Sequence, residues 1–87
     1  MINYAHIKQS VTTRQAAEIY GIHVDSHGMA ACPFHDDRRP SMKVDETFYC
    51  FGCGATGDVI TFTSRLFGIS PASAARKLAM DFGISLE

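Results

Sequence analysis

Tryptophan is absent from this 87-residue chain, and cysteine and proline occur only three times each. Three cysteines cannot close into a disulfide framework, and unpaired thiols suit a reducing compartment. No apolar run reaches the roughly 18 residues of a membrane span. The N-terminus also lacks the basic region and apolar stretch of a secretory leader. The expected setting is therefore the cytoplasm, without membrane contact. Strong charge of one sign is missing too: 8 Lys and Arg against 9 Asp and Glu leave a formal charge of −1. No basic field covers the molecule, so any contact with nucleic acid has to come from local patches. Repeats, linkers and low-complexity segments are lacking, so residues 1–87 read as one domain. At 46% hydrophobic and 20% charged residues the composition is that of a globular protein, although a core of this size is marginal.

What the sequence does contain is an unusual placement of its few cysteines. Cys32-Pro33-Phe34-His35 is answered by Cys50-Phe51-Gly52-Cys53, a C-x2-H and a C-x2-C pair separated by residues 36–49. Each two-residue gap lets the chain turn so that both side chains of a pair face one ion, and the interval has room for a hairpin that returns the second pair to the first. Cys32, His35, Cys50 and Cys53 thus read as the ligands of one Zn²⁺. Four protein ligands saturate a tetrahedral shell, so the ion would hold structure and not catalyse. Cys50-x-x-Cys53 alone would also suit a redox pair, but that leaves Cys32 and His35 unused and needs a βαβ context absent here. His23 and His27 are rival nitrogen donors, disfavoured because neither stands two residues from a cysteine; they read as exposed strand and turn residues. His6 has no partner signal.

Around these pairs the chain divides into a ribbon, about 22–57, and a helical hairpin, about 58–83. Residues 2–7 read as a short apolar lead. Thr12 with Gln15 three residues later forms a capping-box pattern for a short helix stopped by Gly21, with Ile19 and Tyr20 packing on the metal unit. Ile22–Asp25 alternates as a strand does, Ser26-His27-Gly28 as a turn, and Met29–Ala31 as the return strand that delivers Cys32. Ser41–Val44 and Thr47–Phe51 form a second hairpin across Asp45-Glu46. Period two then puts Phe48 and Cys50 on one face and Thr47, Tyr49 and Phe51 on the other. Glycine after Cys53 suits a knuckle that needs positive φ and aims N–H groups at sulfur. Asp58 caps a helix carrying Val59, Phe62, Leu66 and Phe67 on one face, ended by Gly68. Ser70-Pro71 starts a second with Ala75, Leu78, Ala79 and Phe82, ended by Gly83. Arg65, Arg76 and Lys77 read as solvated helix faces. The expected fold class is small α+β: a zinc ribbon of antiparallel hairpins flanked by short helices.

Two longer stretches carry a resemblance. Cys32-Pro33-Phe34-His35-Asp36-Asp37-Arg38-Arg39-Pro40-Ser41-Met42 resembles the first half of the zinc-binding domain of bacterial and phage DnaG-type DNA primases, with Met42 where phenylalanine is common. Tyr49-Cys50-Phe51-Gly52-Cys53-Gly54-Ala55-Thr56-Gly57-Asp58-Val59-Ile60 is similar to its second half, and Gly68-Ile69-Ser70 with residues 74–79 to its closing helical segment. The resemblance covers about residues 12–84. It implies a zinc ribbon with the four ligands above and recognition of single-stranded DNA template in primer synthesis during replication. It also implies a non-catalytic chain, since the family's polymerase chemistry resides in a separate acidic domain. A primase polymerase domain or a replicative helicase would be its protein partners. Single-strand binding needs cations and flat rings; Arg38, Arg39 and Lys43 are the cations of the ribbon, and Tyr49 and Phe51 the candidate platforms. The alternative is a ribbon of a phage or mobile-element replication or regulatory protein that docks on another protein without touching DNA.

Overall fold

A computed structural model describes residues 2–36 and 39–86. Helices α1 (Tyr4–Ser10) and α2 (Thr13–Ile19) lead into strands β1 (Met29–Ala30), β2 (Met42–Val44), β3 (Phe48–Cys50) and β4 (Thr56–Gly57), followed by α3 (Val59–Phe67) and α4 (Pro71–Phe82). The sheet is antiparallel with its strands in sequence order. The β2–β3 hairpin turns at Asp45-Glu46 as its sequence predicts, in the register Met42↔Cys50, Lys43↔Tyr49 and Val44↔Phe48. Met42, Val44, Phe48 and Cys50 are buried on one face, while Lys43 and Tyr49 stand opposite each other on the other.

The first hairpin differs from its sequence reading. Met29 and Ala30 pair with Lys43 and Met42, not with Ile22–Asp25. The reason lies in Asp25. Its backbone N–H donates to the Met29 carbonyl (2.9 Å), and its carboxylate accepts from the backbone N–H groups of Met29 (3.0 Å) and His27 (2.8 Å). Those bonds close a tight loop and occupy the outer side of β1, where a strand partner would otherwise lie.

Two apolar clusters hold these elements. The first joins the sheet, both knuckles and α3 through Val24, Ala30, Cys32, Met42, Val44, Phe48, Cys50 and Phe62. Within it Phe34, Phe48 and Phe62 form an aromatic triad with centroids 5.2–5.7 Å apart, within the range where aromatic pairs add to simple burial. The second joins the helices through Ile7, Val11, Ala16, Val59, Ile60, Ala75 and Leu78. Helix α3 feeds both clusters, which fixes the sheet against the helical layer.

The caps follow their sequence signals. Thr12 and Gln15 form a complete capping box, Asp58 accepts from the Thr61 N–H, and Ser70 accepts from the Ser73 N–H with Pro71 beginning α4. Free N–H groups at the start of α2 find carbonyls of the β2–β3 turn: Thr13 donates to Glu46 and Arg14 to Asp45. This ties the tip of the hairpin to the helix. Helix α1 is an addition to the sequence reading, which has only an apolar lead there. Asn3 caps it by accepting from the His6 N–H, and Ile7 is fully buried. Ile19 is 61% exposed, contrary to the core position expected for it. Tyr20 packs edge-on against Phe67 in the helical layer and not on the metal unit. Its hydroxyl donates to Asp81, and burial together with that carboxylate raises its pKa.

Candidate metal centre and the adjoining sheet face

The turn after Ala30 delivers Cys32 and His35, and the end of β3 delivers Cys50 and, one turn on, Cys53. One ligand atom from each lies within 4.8 Å of all the others. The Cys32 and Cys53 sulfurs are 3.9 Å apart, and His35 Nδ1 is 3.8 Å from the Cys50 sulfur. A zinc ion with bonds of about 2.0–2.3 Å would set tetrahedral edges of roughly 3.5–3.8 Å, so these separations fit. His23 and His27 lie outside this cluster and are exposed.

Sulfur chemistry agrees with the spacing. Burial pushes the Cys32 thiol up to about 12. At Cys50 burial also opposes the thiolate, but the Ser41 hydroxyl and the backbone N–H groups of Cys53 and Gly52 outweigh it and draw the thiol down to about 6. The Phe34 N–H donates to the Cys32 sulfur at 3.4 Å. Three sulfurs in this space can all be thiolate only around a cation, and Zn²⁺ with thiolate and imidazole donors meets that need. Glycines complete the second knuckle in two ways. Gly54 adopts φ +78° and its N–H donates to the Cys50 carbonyl at 2.8 Å, so the donors to sulfur are Gly52 and Cys53 instead. Gly52 makes room: a Cβ there would stand 2.9 Å from His35 Nε2.

The other predicted site residues that lie among the described ones are exposed. Tyr49 and Phe51 are 46% and 69% exposed and stand edge to face, 5.0 Å apart. Lys43 projects from the same face opposite Tyr49, with its ammonium donating to the His27 carbonyl at 2.7 Å. Arg39 is exposed, and Arg38 lies outside the described residues. Two helix cations are more than solvated. The Arg65 guanidinium lies over Phe34, 4.5 Å from the ring centroid. Lys77 lies over Tyr20 and Phe67 and pairs with Asp81 at 3.3 Å. No sequence pattern marks the Arg65 contact, because it joins residues 31 positions apart. No helix among the described residues is long and apolar enough to cross a membrane.

A short antiparallel sheet carrying a closed Cys-His-Cys-Cys set on two knuckles defines a zinc ribbon with a structural metal. Comparison with known proteins gives the family: residues 4–87 match the CHC2 zinc finger, the zinc ribbon of DnaG, and the chain belongs to it. A DNA primase of Rickettsia prowazekii is 48% identical over 64 residues, covering 70% of this chain and 11% of the relative. A DNA primase of Helicobacter pylori strain J99 is 39% identical over an alignment covering all of this chain and 17% of the relative. The crystal structure of the Aquifex aeolicus primase, comprising zinc-binding and RNA polymerase domains, superposes with a TM-score of 0.79 at 31% identity. That match covers 95% of this chain and 22% of the other. The chain thus spans between a tenth and a fifth of the length of these curated relatives. The family and the ligand cluster together establish one structural zinc held by this chain.

Proposed function

We propose that residues 1–87 act as one template-recognising module of a DNA primase, binding single-stranded DNA during primer synthesis in the cytoplasm. On this reading the chain has no polymerase activity of its own. A primase polymerase domain or a replicative helicase is its protein partner. The observation that carries the reading is the exposed Tyr49–Phe51 pair on the open face of β3, immediately beside the metal knuckle. Large rings left in water at the end of a rigid strand are suited to stacking with unpaired bases. The metal contributes rigidity: it fixes Cys50 and Cys53, and with them the position of Phe51 between them.

Lys43, opposite Tyr49 in the sheet, supplies a cation near these rings, and Arg38 and Arg39 precede β2 in the sequence. Lys43 retains ammonium donors beyond the one bonded to His27, since a lysine carries three. With few cations and a net charge of −1, binding is expected to be modest and to weaken as salt rises. The test is fluorescence anisotropy of a labelled single-stranded oligonucleotide with the zinc-loaded chain at low salt. Tyr49→Ala with Phe51→Ala should weaken binding by about 5- to 150-fold per stacked base, from about 1–3 kcal/mol each, without loss of zinc. Arg39→Ala with Lys43→Ala should flatten the salt dependence. Absence of binding in the parent, or unchanged binding in the ring variants, would overturn the reading in favour of a protein-docking ribbon.

A further inference from the structure

We infer that Arg65 of α3 is a phosphate-contacting residue, so that the bound strand runs from the Tyr49–Phe51 face across the metal end of the ribbon onto the helical layer. The inference rests on the single-strand reading above and extends it to an element outside the ribbon.

Each knuckle holds one aromatic between its two ligands: Phe34 between Cys32 and His35, Phe51 between Cys50 and Cys53. Because the four ligand atoms lie within 4.8 Å of one another, these two residues flank a single metal centre. They are used differently. Phe51 is 69% exposed. Phe34 turns inward onto Phe48 and Phe62, and the Arg65 guanidinium covers it, 4.5 Å from its centroid. A guanidinium held over a ring loses rotational freedom but keeps its N–H donors. That is the preorganised fork that binds phosphate oxygens.

Arg65 is also uncommitted. Among the described residues it forms no ion pair, and the segment Val59–Phe67 contains no acidic side chain. Asp36, next to the first knuckle, makes no pair with it. Lys77, also held over rings, is already neutralised by Asp81 at 3.3 Å. Three thiolates and a neutral imidazole around Zn²⁺ leave the metal centre at about −1, which would repel a phosphodiester crossing it. An exposed arginine without an ion pair among the described residues, held over Phe34 of the first knuckle, supplies the opposite charge beside this centre.

The experiment is oligonucleotide anisotropy across a salt series on the zinc-loaded chain, with Arg65→Gln, Arg65→Met, Arg65→Lys and, as a control on α4, Arg76→Gln. Arg65→Gln should bind severalfold more weakly at low salt, with a log–log salt slope shallower by about 0.7, the value of one phosphate contact on a single strand. Arg65→Met covers Phe34 without charge and should show the same loss. Arg65→Lys should recover most of the slope, and Arg76→Gln should behave as the parent. Zinc content and thermal midpoint of each variant identify any that fail to fold, for which the Arg65→Met and Arg65→Lys pair decides. A parent that binds while Arg65→Gln and Arg65→Met keep its slope overturns this inference and leaves the single-strand reading standing. A parent that binds no oligonucleotide overturns both.

Discussion

Replacing Gly52 by alanine should weaken the metal site although Gly52 contributes no ligand. The added Cβ would stand 2.9 Å from His35 Nε2, 3.1 Å from Cε1 and 3.3 Å from the Ser41 hydroxyl. None of these atoms retreats freely. His35 is held by its Nδ1 beside the sulfurs, and Ser41 lies 3.6 Å from the Cys50 sulfur. Overpacking of this kind costs about 1–3 kcal/mol, or roughly 5- to 150-fold in zinc affinity. Competition against a chromophoric zinc chelator at neutral pH would read it directly. Gly54 offers a contrast, because a Cβ there meets nothing within 4 Å and the obstacle is φ +78° alone. Asparagine tolerates that backbone region, so Gly54→Asn should recover most of what Gly54→Ala loses, whereas Gly52→Asn should be no better than Gly52→Ala. Parental zinc affinity and thermal midpoint in Gly52→Ala would refute the steric reasoning.

Other predictions follow from the packing and the metal. Chelation should unfold the ribbon, because structural zinc contributes about 10–16 kcal/mol in finger peptides, as much as the whole net stability of about 5–15 kcal/mol of a domain; circular dichroism during chelator titration checks this. Phe62→Ala should cost about 3–5 kcal/mol by leaving Phe34 and Phe48 beside a cavity, measured by denaturant unfolding of the zinc-loaded chain. Burial works against the Asp58 carboxylate, but the Thr61 N–H and Lys8 at 3.1 Å outweigh it and lower its pKa. Its stabilising contribution is therefore complete above the ordinary carboxylate range and is lost only as pH falls through the lowered value. Zinc binding needs its ligands deprotonated, so acid competes with the metal directly and the acid transition should coincide with zinc release. Asp58→Asn should not move that transition, which zinc-indicator absorbance and ellipticity followed together will show.

Most of the site was legible because its signals are local. Two-residue ligand gaps, the Asp45-Glu46 turn and period-two burial of Phe48 and Cys50 follow from neighbours in the chain, as do the caps at Thr12, Asp58 and Ser70. What escaped depends on distant partners. Helix α1 is only seven residues long, too short to persist by propensity. It forms because Ile7 is buried among the helices, with Asn3 capping it through the His6 backbone N–H. The alternation of residues 22–25 does describe burial, with Val24 inside, but hydrogen bonding by Asp25 decides that no ladder forms there. Ile19 fits a helical pattern yet points outward, since α2 buries Ala16 and Ala17 instead. Arg65 was indistinguishable from any surface cation until Phe34 was placed beneath it.

The closed metal centre is the element from which the hairpins and the exposed ring pair take their positions. X-ray absorption at the zinc edge of the purified chain tests this most directly. Three sulfurs at about 2.3 Å and one nitrogen at about 2.0–2.1 Å, with one zinc per chain, are the predicted result. A shell containing water oxygen, or one unchanged in His35→Ala, would contradict it.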